Sequence, residues 1–271
     1  VERPDVAFAH TRWSHRMSAQ NTRTLPEIVV DEAGEQGGTP VLLLHGGGVA
    51  GWMWRPLIEQ MGSGYRFLVP DLPGHDRSAH TDYESHDQAV DALALILQRC
   101  ESRPAAVVGF SLGAQLAVLL AVRRPDLVTQ VGVISAQAKP SKWPGATLAL
   151  LRLTAPLAKN EWFGRAQAKE LFVPPALFPD YLRTARRLST RTLLRSVGEN
   201  MRFTVPPAWA AFTGKTLVLV GERERAIMAD SARNLTQDRH DGDFETIARC
   251  GHGAPLQKPR WLAARLRAWL T

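Results

Sequence analysis

The sequence predicts an open α/β fold, with a mostly parallel central sheet, helices on both faces and an inserted helical cap. Two observations carry that prediction. Short apolar runs that stop at glycine or proline alternate with segments of helical period, the pattern of buried parallel strands joined by crossover helices. The rhythm breaks once, over residues 139–212, where the chain shows helical segments, no clear strand, and prolines at 144, 156, 174, 175, 206 and 207. That stretch lies between two core strands, so it reads as an insertion within one α/β core formed by 17–138 and 213–271. Residues 1–16 read as an N-terminal tail or extension ahead of Met17.

Each element has its own justification. "TPVLLLHGGG" (39–48) is an apolar run ending at glycines, a buried strand followed by a tight loop. "WMWRPLIEQM" fits a helix. "YRFLVPDLPGHD" (65–76) is a second strand, stopped by Pro70, Asp71, Pro73 and Gly74. "SHDQAVDALALILQRC" (85–100) has helical spacing and an acidic start suited to a helix N-terminus. "AAVVGF" (105–110) reads as a strand and "LGAQLAVLLAVRR" as the helix that follows it. "LVTQVGVISA" (127–136) and "KTLVLVGE" (215–222) add two buried strands, and "RWLAARLRAWL" closes the chain as an amphipathic helix.

Composition narrows the function. With 45% hydrophobic and 22% charged residues, the chain has the make-up of a globular domain. No apolar stretch is long enough to span a bilayer and the first residues carry no signal-type apolar core, so the expectation is a cytoplasmic protein without a membrane partner. The net charge of +7 raises nucleic acid as a partner, but the arginines are spread along the chain and no nucleic-acid motif occurs. Arg183, Arg187, Arg191 and Arg195 recur every four residues and read as one solvated helix face. Cys100 and Cys250 form no ligand pattern or disulfide framework and are expected to be reduced. His75, His80 and His86, near Asp76, Asp82 and Asp87, lack metal-ligand spacing and read as a polar loop.

One junction asks for more than a turn. Gly109-Phe110-Ser111-Leu112-Gly113 sets a serine between glycines where a strand meets a helix. Either Ser111 caps an ordinary helix, or it is a nucleophile held on a strained turn in a G-x-S-x-G elbow. The chain as a whole resembles the α/β-hydrolase superfamily, and within it the cap-bearing, esterase-like serine hydrolases. The resemblance covers about residues 25–271 and rests on "LLLHGGG", "VPDLPGHDRS", "VVGFSLGA", "LVLVGERE" and "CGHGAP" in the family's order.

The resemblance implies Ser111 as nucleophile and His252 as general base. It places the acid where the family shows GExD, here Gly221-Glu222-Arg223-Glu224, which matches Glu224; Glu222 and Asp230 stay open as alternatives. It also implies an oxyanion hole from the amides of Gly47 and Leu112, and a structural role for His45. A serine hydroxyl needs a base to take its proton, and the base needs a carboxylate to orient it. Trp52, Trp54, Phe110, Trp143 and Trp162 are expected to shape an apolar pocket, and Cys250 to be a packing residue. In the family's GHGxS segment this chain reads Gly74-His75-Asp76-Arg77-Ser78, a charged residue where a small one is usual.

The implied activity is cofactor-free cleavage of an ester, thioester or lactone of a small to medium apolar molecule through an acyl-enzyme on Ser111. C–C bond hydrolysis and haloperoxidase-like perhydrolysis use similar residues and remain alternatives within the enzyme class. A receptor-like or non-catalytic ligand-binding member of the fold is the alternative outside it. Dehalogenases and epoxide hydrolases are disfavoured, because they use aspartate where Ser111 stands.

Overall fold

The computed structural model describes residues 9–13, 25–99, 105–237, 239 and 242–271. Residues 1–8 and 14–16 of the stretch read as a tail, Met17, and Cys100 lie outside the described residues. In chain order the elements begin with β1 (Ala9–Trp13), β2 (Ile28–Gly34), β3 (Thr39–Leu44), α1 (Arg55–Met61), β4 (Tyr65–Pro70) and α2 (His86–Gln98). Next come β5 (Ala105–Phe110), α3 (Leu112–Arg123) and β6 (Val128–Ile134). Four helices follow without a strand among them: α4 (Pro144–Thr154), α5 (Glu161–Glu170), α6 (Phe178–Arg187) and α7 (Thr190–Arg202). The chain closes with β7 (Lys215–Gly221), α8 (Ala226–Thr236), β8 (Gly242–Ile247), α9 (Ala254–Gln257) and α10 (Pro259–Leu270).

The strands form one eight-stranded sheet in the order β1-β2-β4-β3-β5-β6-β7-β8. β2 pairs antiparallel with both β1 and β4, and all other pairs are parallel. Period-2 alternation sorts the core into two layers. Leu42, Leu44, Val107, Val131, Val133, Val218 and Val220 face the side packed by α2 and α3. Val41, Leu43, Ala106, Val108, Leu217 and Leu219 face α1 and α10. Burying each large aliphatic side chain contributes about 1.5–3 kcal/mol relative to exposure, so the two layers hold the sheet from both sides.

Three strands escape the sequence prediction, and each has a physical reason. β8 is an edge strand with several exposed residues, so it carries no continuous apolar run. In β2 the run is broken by Asp31 and Glu32, which are ion-paired with Arg77 and Arg66. Residues 9–13, inside the stretch read as a tail, form β1 on β2.

Two further readings are corrected. Arg183, Arg187, Arg191 and Arg195 do not share a helix, because Ser189 caps the start of α7 by accepting from Thr192 N at 2.9 Å and so ends the run at Leu188. Nor is that face simply solvated: Arg183 donates Nη2 to Asp76 at 2.7 Å, and Arg191 lies 2.7 Å from Glu84. The segment from His75 to His86 is not a plain polar loop either. His75, Asp76 and His86 are buried, with His75 Nδ1 against Pro73 O, and His86 between Tyr83 Oη and Gln115 Oε1. Burial pushes the His75 pKa down from 6.5 to about 4, so its ring stays neutral inside the fold.

Candidate active site

The parallel register brings five strand ends together. Leu44 lies opposite Gly109, Phe110 opposite Ile134, Ile134 opposite Leu219, and Gly221 opposite Ile247. The loops leaving β3, β5, β6, β7 and β8 therefore emerge side by side at the C-terminal edge of the sheet, where open α/β folds bind ligands.

Ser111 sits between β5 and α3 with φ +52° and ψ −113°, and its side chain makes no capping hydrogen bond. The helix-capping reading is thereby excluded. A non-glycine residue in that conformation is strained, and the junction is held tightly enough to impose it. A Cβ on Gly109 would overlap the carbonyl of Gly113, and a Cβ on Gly113 would overlap the carbonyl of Leu44. Both glycines are needed for α3 to leave the sheet this closely. The hydroxyl that would have capped α3 instead points into the space above the strands.

His252 comes from the loop between β8 and α9. Its Nε2 lies 3.1 Å from Ser111 Oγ and its Nδ1 2.7 Å from Glu224 Oε2. A carboxylate can only accept here, so Nδ1 carries the proton and Nε2 is free to accept from the serine. The Phe110 ring packs 5.1 Å from the imidazole, centroid to centroid, and limits its movement. His252 remains 38% exposed while the Glu224 carboxylate is only 2% exposed. The acid is thus the sheltered member and the histidine the accessible one.

Glu224 is fully partnered. Its Oε1 accepts from Ser135 Oγ at 2.6 Å and from the amide of Gly221 at 2.7 Å, leaving Oε2 to His252. Glu222 turns away to accept from Arg249 N at 2.6 Å, and Asp230 is exposed beside Lys139 and Arg233. Of the three carboxylates weighed from the sequence, the structure brings only Glu224 to the histidine. Ser135, buried at φ +54° just after β6, was missed. It stands at the end of "LVTQVGVISA" with no motif around it, so the sequence holds no signal for its role.

The remaining expected residues divide. Gly47 and Leu112 both line the cavity beside Ser111, and the Leu112 amide opens α3, where first-turn N–H groups lack helical partners. His45 is buried, accepting at Nε2 from Leu72 N at 2.8 Å and donating Nδ1–H to Gly46 O at 2.7 Å. Burial holds its pKa well below 6.5, and it braces the glycine loop rather than facing the cavity. Cys250 is buried, with its thiol pushed up to about 11 by burial and by the nearby Glu224 charge, which suits a packing residue.

The expected aromatic pocket is not what surrounds Ser111. Trp54 is wholly buried in the core under α1, Trp52 donates Nε1–H to Thr184 Oγ1, and Phe110 lies under His252. Trp143 and Trp162 face outward, 77% and 78% exposed. The cavity, about 450 Å³, is lined instead by Leu171, Tyr181, Leu193 and Val197 together with Gln167, Glu170, Ser196 and Asn200. Among the described residues no group of three or more histidine, cysteine, aspartate or glutamate side chains is arranged to hold a metal ion.

Comparison with known proteins adds a family. A model of the alpha/beta hydrolase family matches residues 41–265. Lipase LipV of Mycobacterium tuberculosis is 28% identical over 262 residues, which cover 90% of this chain and 98% of that protein. The magnesium-chelatase 30 kDa subunit of Rhodobacter capsulatus is 35% identical over 116 residues, and the match spans 42% of this chain and 41% of that protein. A thermophilic esterase from Thermogutta terrifontis shares the fold, with a TM-score of 0.76 at 21% identity over 97% of this chain and 98% of its own. Matched by the family model over most of its length, the chain belongs to the alpha/beta hydrolase family.

Proposed function

We propose that this protein is a serine hydrolase that cleaves a carboxylic ester, thioester or lactone of a small to medium, largely apolar molecule. The observation that carries the reading is the continuous line from Glu224 through His252 to Ser111, with spacings of 2.7 and 3.1 Å, on a serine strained at the mouth of a cavity. In that reading Ser111 Oγ attacks the substrate carbonyl as its proton passes to His252 Nε2. The amides of Gly47 and Leu112 receive the oxyanion. The leaving alcohol or thiol takes the proton from His252, and an acyl group remains on Ser111. His252 then draws a proton from water, whose oxygen attacks the acyl carbon; the acyl–Oγ bond breaks, the proton passes from His252 to Ser111 Oγ, and the acid is released. Throughout, Glu224 fixes the imidazole tautomer and stabilises the imidazolium.

Residues 139–212 act in this reading as the cap. α5 contributes Gln167, α6 contributes Tyr181 and α7 contributes Leu193 and Ser196 to the cavity over Ser111. The name of the mycobacterial relative, a lipase, supports ester cleavage. A fluorophosphonate probe tests the proposal. It is expected to label the protein once, at Ser111, with labelling and ester turnover both lost in Ser111→Ala. Labelling at full strength in that variant overturns the assignment.

A further inference from the structure

Helix α4 and the turn after it carry a stripe of apolar side chains on the outside of the molecule. No residue of α4 is buried. Trp143, Leu150, Leu153, Leu157 and Trp162 are each more than half exposed, with Leu153 at 78%. Trp143, Ala146, Leu150, Leu153 and Leu157 follow one another at steps of three and four residues, the spacing of a single helix side. A solitary exposed leucine is ordinary, whereas a contiguous stripe marks an interaction surface.

The charges beside the stripe say what it meets. Lys142, Arg152, Lys159, Arg165 and Lys169 lie in the same stretch of chain, and all five are exposed. Glu161 is the only acid between residues 142 and 169, and it is paired with Arg165 at 2.7 Å. Pairing this face with a second copy of itself would set one basic rim against the other, an arrangement that like charges oppose. An anionic lipid surface complements the rim and accepts the stripe. The exposed Trp143, which opens the stripe, and Trp162 at the start of α5 suit the headgroup level, where a ring that is apolar with one polar edge is best placed.

We infer that the outer side of α4, with the turn that follows it, docks on an anionic lipid bilayer. The sequence reading expects no membrane partner because no stretch is long enough to span one, and no described helix is long and apolar enough to cross a membrane. Lying in the interface needs no such length. The docking has a direction. Leu151 and Thr154, on the inner side of α4, line a hollow of about 90 Å³ that shares Gly48, Gln167, Tyr181 and Leu193 with the Ser111 cavity. Resting on the proposed hydrolase reading, this arrangement sets the site against a surface from which amphiphilic esters can be drawn.

Co-sedimentation with extruded vesicles tests the inference on the full chain. The wild type is expected to pellet with vesicles of mixed phosphatidylcholine and phosphatidylglycerol, and to be released as salt is raised. Leu150→Ser combined with Leu153→Ser is expected to weaken that binding by about tenfold or more, while turnover of a soluble acetate ester and the melting temperature stay unchanged. Ser111→Ala is expected to pellet like the wild type, so failure of the hydrolase reading leaves the lipid result readable. The inference is overturned if the wild type stays in the supernatant with mixed vesicles, or if the double variant pellets equally well. It is also overturned if light scattering shows a wild-type dimer that the double variant splits, since a second copy then covers the stripe.

Discussion

The loops at the C-terminal edge of the sheet and the helices between β6 and β7 meet at one cavity, yet they are built differently. At the sheet edge, placement is set by backbone. Gly109 and Gly113 allow contacts that a Cβ would forbid, and Ser111 and Ser135 are held at positive φ. The helices are tied down by side chains. Trp52 reaches Thr184, Arg55 reaches Asp180, Asp76 receives Arg183, Asp82 receives Ser189 and Thr192, and Gln115 receives Asn200. Backbone constraints fix geometry to fractions of an ångström and tolerate little substitution. Side-chain ties can be exchanged singly, so the helical half of the cavity can change without disturbing the backbone that places Ser111, His252 and Glu224.

That contrast can be broken first at the sheet edge. Ser111→Ala is expected to lower kcat on the order of 10⁵- to 10⁶-fold, the scale seen when a triad nucleophile is removed. Steady-state turnover of a chromogenic ester checks it. Glu224→Gln follows, with a loss of about 10⁴-fold in kcat and an unchanged fold, because the amide no longer enforces the working tautomer. Glu222→Gln and Asp230→Asn are expected to stay near wild type in the same assay, since neither side chain approaches His252. A large loss in either would move the acid away from Glu224.

The helical side is expected to give smaller effects. Asp76 is buried, sits at φ +40°, and accepts from Arg183 Nε and Nη2 at 3.0 and 2.7 Å. Asp76→Asn keeps the shape and the tolerance for that backbone but weakens the tie, with an expected loss of about 1–3 kcal/mol in unfolding free energy. Because Tyr181 lines the cavity from the same helix as Arg183, KM is expected to rise more than kcat falls. A kcat loss as large as that of Glu224→Gln would show that Asp76 belongs to the chemistry.

The smallest expected effect is a slope with pH. His45, His75 and His86 all have pKa values lowered by burial, His75 to about 4 from 6.5. Between those two values the unfolded chain binds a proton that the folded His75 refuses. Stability is therefore full above 6.5 and is lost as pH falls toward 4. Asp71, raised from 3.8 by burial, acts in the opposite direction just above that value. Melting temperatures across the window, compared with those of His75→Gln, isolate the histidine contribution: the variant should show the shallower acid slope.

The same division explains what could be read without coordinates. Strands β3, β4, β5, β6 and β7 were legible because a strand buried on both faces must be apolar throughout and must stop at a breaker. Ser111 was legible because its tight turn requires glycine on both sides; His252 and Glu224 rested on the family resemblance, and with Glu222 and Asp230 open beside it the acid needed the geometry. β2 was hidden by carboxylates whose partners come from far along the chain. The cavity wall was hidden for a related reason. Helical period shows that Trp143 and Trp162 share helices with other apolar residues, but which side turns inward depends on where the helices dock. Aromatic content pointed to the wrong side chains, and Gln167, Ser196 and Asn200 have no local signal at all.

Glu224 has one more consequence. Its own amide donates to Gly221 O at 3.1 Å, while its Oε1 accepts from Gly221 N, so the turn closes on itself through the same side chain that orients His252. The length of that side chain is part of the turn's specification. Aspartate at this position is one methylene short of spanning both duties, so a change that is conservative in charge is not conservative in reach. In this chain Glu224→Asp would therefore disturb the Gly221 turn as well as the contact with His252.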